Sequence, residues 1–424
     1  MIETNPEALP LLQQNDQYDN TPLHLAAKAG QTEFVRELLD EKYEVEYDNK
    51  NEDESTPCHL AAKRGHVDVL KLILEKDPFA IFDKDEDDNT PLHLAAKERH
   101  SEAVEFLLSQ GASVHKRNAK KWTALDCAAA SGSYNCAILL LNYDSPVDPK
   151  DIKGVTPLHL SAIHGHEKVA QLLLDHDACL DLENDMYMNA LELAIFYKHR
   201  SVVEVILDNP KWKVAMKTAS VSSTIHDERI PDTPMRMLIR VFPDLAEKVF
   251  DKCIKNSSSK IDMDFQFLED TFSLNHIVKS SGQHQFKYED LKDDNLTPYD
   301  ATGTLSMINH PLMIMVQEKQ KQLLKHPLCL ALLRRKWKFI GRVVFYTQLL
   351  VYILFMSFLT AFILLKLNNK TFPDENDHYR FYAECEFSND PTEHVLRILV
   401  LLTTAFNIIV EISQMIRVSR NRFF

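Results

Sequence analysis

The amino-acid sequence predicts a predominantly all-α protein: a solenoid of stacked helical hairpins, a mixed helical and short-strand linker, and two transmembrane helices. Three observations carry that expectation. A seven-residue motif recurs through the first half of the chain; the 23 residues Val343–Leu365 contain no charge; and a segment without repeats separates the two. At 424 residues and 45% hydrophobic content, the chain is long enough for several structural units.

The motif first stands at Thr21-Pro22-Leu23-His24-Leu25-Ala26-Ala27 and returns as TPCHLAA from Thr56, TPLHLAA from Thr90, TALDCAA from Thr123 and TPLHLSA from Thr156. A worn copy, NALELAI, begins at Asn189, and the intervals are 35, 34, 33, 33 and 33 residues. A period near 33 with this motif is the signature of ankyrin repeats. Thr-Pro opens a helix, with proline in the first turn, where its missing N–H costs nothing. The Ala-Ala pair lets neighbouring helices approach closely. Second apolar helices are expected at Glu33–Leu39, Val67–Leu74, Glu102–Leu108, Asn135–Leu141, Glu167–Leu174 and Ser201–Leu207. No unit buries its apolar face alone, so repeats must stack into a curved rod with a concave face open to protein partners. Six repeats are expected over 18–208, with 1–17 the remnant of another upstream.

Two constellations within the repeats imitate metal sites. His24, His59, His93 and His159 occupy the same place in separate repeats, which makes them turn-locking residues of the motif. Asp83, Asp85, Asp87 and Asp88 resemble the start of a calcium loop, but no glycine follows at the sixth position and Leu94 stands where a bidentate glutamate is needed. A solvated inter-repeat finger is expected there.

Residues 209–342 are expected to form a coupling linker and pre-membrane helix. Helices are expected at Pro234–Val241 and Leu245–Ile254, and a strand over Asp264–Leu274. His310-Pro311 and His326-Pro327 punctuate later helices, because the residue before proline avoids the helical region. Leu328–Lys338 reads as a basic amphipathic helix lying along a membrane surface.

At ~1.5 Å per residue, Val343–Leu365 spans roughly 34 Å as a helix, enough for a hydrocarbon core of about 30 Å. Val395–Ile416 is the second expected span, less clean because Arg397, Asn407 and Glu411 lie within it. Arg334, Arg335, Lys336, Lys338 and Arg342 crowd the entry to the first span, and Arg417, Arg420 and Arg422 the exit from the second. The intervening loop, 366–394, has three basic and seven acidic residues. The positive-inside rule therefore places both ends, the N-terminus included, in the cytoplasm and the loop outside. Asn369-Lys370-Thr371 in that loop is a glycosylation triplet. The last segment, 417–424, is a truncated cytoplasmic end.

Composition excludes other classes. A charge of −14, from 48 basic and 62 acidic residues, disfavours nucleic-acid binding. Seven cysteines show neither a Cys-x-x-Cys pair nor zinc spacing, as expected of reduced cytosolic thiols. No P-loop, Gly-x-Ser-x-Gly, His-Glu-x-x-His or Asp-His-His-Cys motif occurs, so no enzyme and no cofactor is expected.

Together with the repeats, three features resemble the ankyrin-type transient receptor potential cation channels, the TRPA subfamily. They are His326-Pro327-Leu328-Cys329, the Lys336-Trp337 pair, and Glu411-x-x-Gln414 before a basic exit. The resemblance covers about residues 18–424 and implies a tetrameric, calcium-permeable, non-selective cation channel of the plasma membrane, gated by chemical or thermal stimuli. It makes the two spans the first two of six, part of a voltage-sensor-like bundle in a chain that ends before the pore. It also implies a calcium site at Glu411 and Gln414, three residues apart on one helix face, with calcium as both permeant ion and modulator. Electrophile sensing falls to Cys253, Cys329 and Lys336; Lys252 and Lys255 flank Cys253, while the family's reactive Cys-Pro stands here as Ile230-Pro231. The competing expectation is a membrane-tethered ankyrin scaffold without conduction.

Overall fold

The computed structural model describes residues 14–40, 48–217, 224–225, 228–229, 233–257, 260–269, 310–338, 342–368 and 395. Two compact units divide the chain, Met1–Cys329 and Leu330–Phe424.

The first unit begins with paired helices. First helices are α1 (Pro22–Ala29), α3 (Pro57–Arg64), α5 (Pro91–Lys97), α7 (Ala124–Ser131), α9 (Pro157–His164) and α11 (Ala190–Phe196). Their partners are α2 (Thr32–Leu38), α4 (Val67–Lys76), α6 (Ser101–Ser109), α8 (Tyr134–Asn142), α10 (Glu167–Asp175) and α12 (Arg200–Asp208). Each agrees with its expected counterpart to within two residues. The motif explains their starts: Thr21, Thr56, Thr90, Thr123 and Thr156 are extended N-caps, and proline follows in four of the five. The alanine pairs are buried throughout, from Ala26 and Ala27 to Ala128 and Ala129, and successive first helices pack directly on one another. Apolar side chains such as Val69, Leu70, Ile73, Leu107, Leu140 and Leu173 fill the layer between first and second helices at 0% exposure. Each contributes about 1.5–3 kcal/mol.

Gly165 ends α9 at φ +74°, and a Cβ there would stand 2.5 Å from the His199 ring of the following repeat. Only glycine serves both the left-handed cap and that close approach. His199 Nε2 meets the Ile163 carbonyl at 2.9 Å, clasping one repeat to the next.

Between repeats the chain turns through six fingers: 16–20, 51–55, 85–89, 118–122, 151–155 and 184–188. Each opens on an Asp or Asn whose side-chain oxygen accepts N–H groups further round the turn, as Asp85 Oδ1 accepts from Asp87 (3.0 Å) and Asn89 (2.7 Å). The acidic run over 83–88 is thus turn chemistry, as expected. Successive fingers join through backbone bonds such as Glu86 N–H to Asp53 O (3.0 Å) and Ala119 N–H to Asp87 O (2.8 Å).

The linker continues from the last repeat. After α13 (Trp212–Ala215) come a short antiparallel pair, β1 (Thr224–Ile225) with β2 (Glu228–Arg229), then α14 (Pro234–Val241) and α15 (Pro243–Lys252). A hairpin follows, β3 (Ile254–Ser257) with β4 (Lys260–Met263), pairing Ile254 with Met263 and Ser257 with Lys260. The strand expected over Asp264–Leu274 is corrected: Gln266–Glu269 forms a short helix, α16, and 270–274 lie outside the described residues. Asp264 Oδ1 accepts the Gln266 N–H at 3.2 Å and turns the chain, while Phe267 and Leu268 are both buried, which a strand with one solvated face does not allow. Beyond come α17 (Pro311–Gln317), α18 (Lys321–Lys325) and α19 (Pro327–Lys336). His310 and His326, before proline, are extended as expected.

In the second unit, α20 (Arg342–Asn368) runs for 27 residues over the whole apolar stretch. Its side chains are described over 345–361, with Phe345, Tyr346, Leu350, Tyr352 and Ile353 exposed. Among the residues whose side chains are described, 345–361 within α20, no helix is long and apolar enough to cross a membrane. The second expected span, Val395–Ile416, lies outside the described residues except for Val395.

Candidate functional site

The motif histidines are built into the repeat. In the second repeat His59 Nδ1 accepts the Thr56 backbone N–H (3.2 Å) and the Thr56 hydroxyl (2.9 Å), and Nε2 reaches the Asn89 carbonyl (3.0 Å). This arrangement demands a neutral ring with its proton on Nε2. His24, His93 and His159 repeat it towards the carbonyls of Ser55, Trp122 and Leu182. Burial lowers the pKa of all four, to about 4 at His59 and His159. No group of three or more potential metal ligands gathers among the described residues.

The fourth repeat departs from this pattern. Asp126 replaces histidine, and its Oδ2 accepts the Thr123 N–H (2.7 Å) and hydroxyl (2.8 Å). Its Oδ1 is buried without a hydrogen-bond partner, and burial raises the pKa to about 7. The departure is visible in the sequence as TALD; the orphaned oxygen is not.

The candidate site that the sequence missed is the joint between the last repeat and the linker. Asp208, ending α12, takes Lys248 Nζ at 2.7 Å and Lys252 Nζ at 3.0 Å, both from α15. Lys252 also donates to the Leu207 carbonyl, and Arg200 of α12 pairs with Asp244 of α15. These ammonium groups hold the Asp208 carboxyl below its usual range. Under this ionic rim lies an apolar seat: Met235, Leu238 and Ile239 of α14 and Leu245, Val249 and Phe250 of α15 are buried, and α14 packs on both α11 and α17. Trp212 meets Phe267 at 5.5 Å between ring centroids, and Lys213 pairs with Asp264 at 2.7 Å. At the far side His326 stacks obliquely on Phe250 (5.4 Å) and its Nε2 meets Asp251 Oδ1 (3.1 Å), so the residue before α19 is fixed to α15. A packed path thus runs from the last repeat to Pro327.

Cys253 and Cys329 sit within this linker, at 2% and 0% exposure, and burial pushes each thiol up to about 12. Of the lysines that flank Cys253, Lys252 directs its ammonium to Asp208; Asp264 and Lys213 are the charges that act on the thiol. A thiol so placed is protonated at neutral pH and shielded from attack. Among the described cysteines, Cys179 alone is exposed. Lys336 lies exposed at the end of α19. Asn369, Asn407, Glu411 and Gln414 lie outside the described residues.

Along α19, Leu328, Cys329 and Leu332 are buried, whereas Leu330, Leu333 and Trp337 stand 40%, 43% and 53% exposed beside Arg334 and Lys338. Exposed apolar residues at i, i+3 and i+7 form one helical stripe.

A family model for ankyrin repeats matches in three copies, over residues 3–81, 77–151 and 145–217, together 215 of the 424 residues. A stretch of 148 residues is 32% identical to the transient receptor potential cation channel subfamily A member 1 homolog of Caenorhabditis elegans. That match covers 31% of this chain and 12% of that protein, so the chain spans a small part of the relative's length.

Proposed function

We propose that this chain, which belongs to the ankyrin-repeat family, is the cytoplasmic and first membrane-entering part of a cation-channel subunit. The likeness to the worm channel homologue supports this reading, and the observation that carries it is the packed path from the last repeat through Asp208, α15 and His326 to Pro327. A scaffold that merely tethers repeats to a membrane needs only a flexible linker. A device that transmits motion needs a stiff one.

In this proposal α20 crosses the bilayer, with the N-terminus and solenoid in the cytoplasm of a plasma-membrane, multi-pass protein. The stripe Leu330, Leu333 and Trp337 dips into the interface while Arg334 and Lys338 meet headgroups. A second span, Val395–Ile416, would follow, and Asn369 would face outside. Four subunits assemble around a pore that passes calcium among other cations, and Glu411 with Gln414 holds calcium as a modulator. The stimulus, chemical or thermal, repacks the linker and shifts α19. Cys329 and Cys253 could sense electrophiles only if that repacking exposes them; Lys336 is already accessible. No catalytic step or organic cofactor is assigned.

Whole-cell recording from cells expressing the full gene product tests this, with heat and electrophiles applied separately. Cation currents evoked by either stimulus are expected. A protein that reaches the surface and passes no current under either would favour the non-conducting scaffold.

A further inference from the structure

The finger ridge carries a charge pattern that the channel proposal does not use. Finger three is acidic from Asp85 through Asp88, finger two carries Glu52, Asp53 and Glu54, and finger six is entered through Asp181 and Glu183. Finger four and its approach reverse the sign: Lys116, Arg117, Lys120 and Lys121, with no acid among them. Finger five adds Lys150 and Lys153. All six cations are exposed, and among the described residues none is in a salt bridge. The lysines of the acidic fingers are instead paired locally, Lys84 with Asp88 at 2.8 Å and Lys50 with Glu54 at 3.2 Å.

The carboxylate within finger five is already committed. Asp151 Oδ1 accepts the N–H groups of Lys153 (2.7 Å) and Val155 (2.8 Å), and Oδ2 accepts the Trp122 indole N–H (3.0 Å). Trp122 in turn carries Lys120 over its ring at 5.3 Å, and Arg117 is held by the Lys150 carbonyl at 2.9 Å. Part of this cationic patch is therefore pre-set rather than loosely solvated. Ile152 projects from its middle, 55% exposed, its N–H directed to the Lys120 carbonyl.

We infer that fingers four and five form a docking site for an extended acidic protein segment bearing an apolar side chain. Geometry favours this occupant over an anionic membrane. Neighbouring repeats stand roughly 10 Å apart, close to the Debye length of about 8 Å at physiological ionic strength. A flat anionic surface reaching fingers four and five would also face the acidic fingers three and six and be repelled. A single extended segment is narrow enough to avoid both. At ~3.3 Å per residue, roughly six residues span the two fingers: carboxylates meet the cations and the apolar side chain covers Ile152. The site does not depend on conduction.

The test is fluorescence anisotropy of the full chain in detergent with a short fluorescein-labelled peptide of glutamate and aspartate containing one leucine. Saturable binding that weakens as salt rises is expected, with the Lys120→Glu/Lys121→Glu variant binding at least about tenfold more weakly. Lys116→Glu/Arg117→Glu should do the same, and both pairs are exposed enough to fold normally, which circular dichroism checks. Lys168→Glu/Lys71→Glu makes the same change in net charge on the second helices and should leave the affinity unaltered. Equal losses in all three variants, no binding by the unmodified chain, or finger-four-dependent binding to phosphatidylserine vesicles but not to the peptide would each overturn the inference.

Discussion

In Asp126→His the fourth repeat would receive the side chain that other repeats use. Where His24, His59 and His93 stand, Nε2 reaches the carbonyl just before the next motif's Thr or equivalent: Ser55, Asn89 and Trp122. The equivalent carbonyl for position 126 is Val155. The wild-type residue leaves Oδ1 buried without a partner, a penalty of about 1–3 kcal/mol. The substitution removes that acceptor and adds one hydrogen bond, so a net gain of about 1–3 kcal/mol is expected at pH 8. The pH dependence follows from linkage. Asp126 titrates near 3.8 unfolded and about 7 folded, so the folded state holds the extra proton in between, and its stability falls as pH rises through that window. A histidine like His59, near 6.5 unfolded and about 4 folded, does the reverse: its stability is full above 6.5 and falls as pH drops. The advantage of the variant must therefore shrink from pH 8 to pH 5. Hydrogen exchange of the α7 amides reads the local opening free energy, and a gain of this size slows exchange roughly 5- to 150-fold at pH 8, once intrinsic rates are corrected. Equal slowing at pH 5, or none at pH 8, would refute the reasoning.

Further outcomes follow from the same geometry. Between pH 6.5 and about 4 the solenoid should lose stability steeply, because His59 and His159 must gain protons on unfolding; a solenoid melting temperature flat across that range would contradict their neutral, Nε2–H state. Gly165→Ala should destabilise by about 2 kcal/mol or more, since both φ +74° and the His199 ring oppose the Cβ, and exchange at the α9–α10 boundary should report it. Under native conditions iodoacetamide should label Cys179 well before Cys253 or Cys329, measured by peptide mass spectrometry; fast labelling of Cys253 would restore it as a resting-state electrophile sensor.

The solenoid was legible because every repeat states the same local chemistry: an N-cap, a proline, two small residues and a buried stripe, at a spacing that chance does not supply. Even the histidines and the acidic finger could be read as structure, since each had its place in the period. The linker lacked that redundancy. Asp264-Phe265-Gln266-Phe267 alternates like a strand, yet Asp264 turns the chain and Phe267 and Leu268 are buried together. The hairpin of β3 and β4 escaped notice because Lys255-Asn256-Ser257 has no apolar alternation; backbone pairing forms it. The joint at Asp208 was invisible because its partners lie 40 and 44 residues away, and a lone Asp ending a helix says nothing about them. At Cys253, likewise, proximity of the flanking lysines in sequence does not reveal that Lys252 turns to Asp208. The blocks of acidic and basic fingers are legible in the sequence, but only the structure shows which lysines are paired.

The central proposal is that the last repeat and the linker move as one body into Pro327, and a charge swap at the joint tests it most directly. Asp208→Lys in the full-length gene product places three ammonium groups together and, if the proposal holds, shifts the stimulus–response curve while surface expression is maintained. Adding Lys248→Asp should return the curve towards wild type, because the pair is restored with its signs exchanged. If both variants respond as the wild type does, the joint carries no gating motion and the proposed lever is wrong.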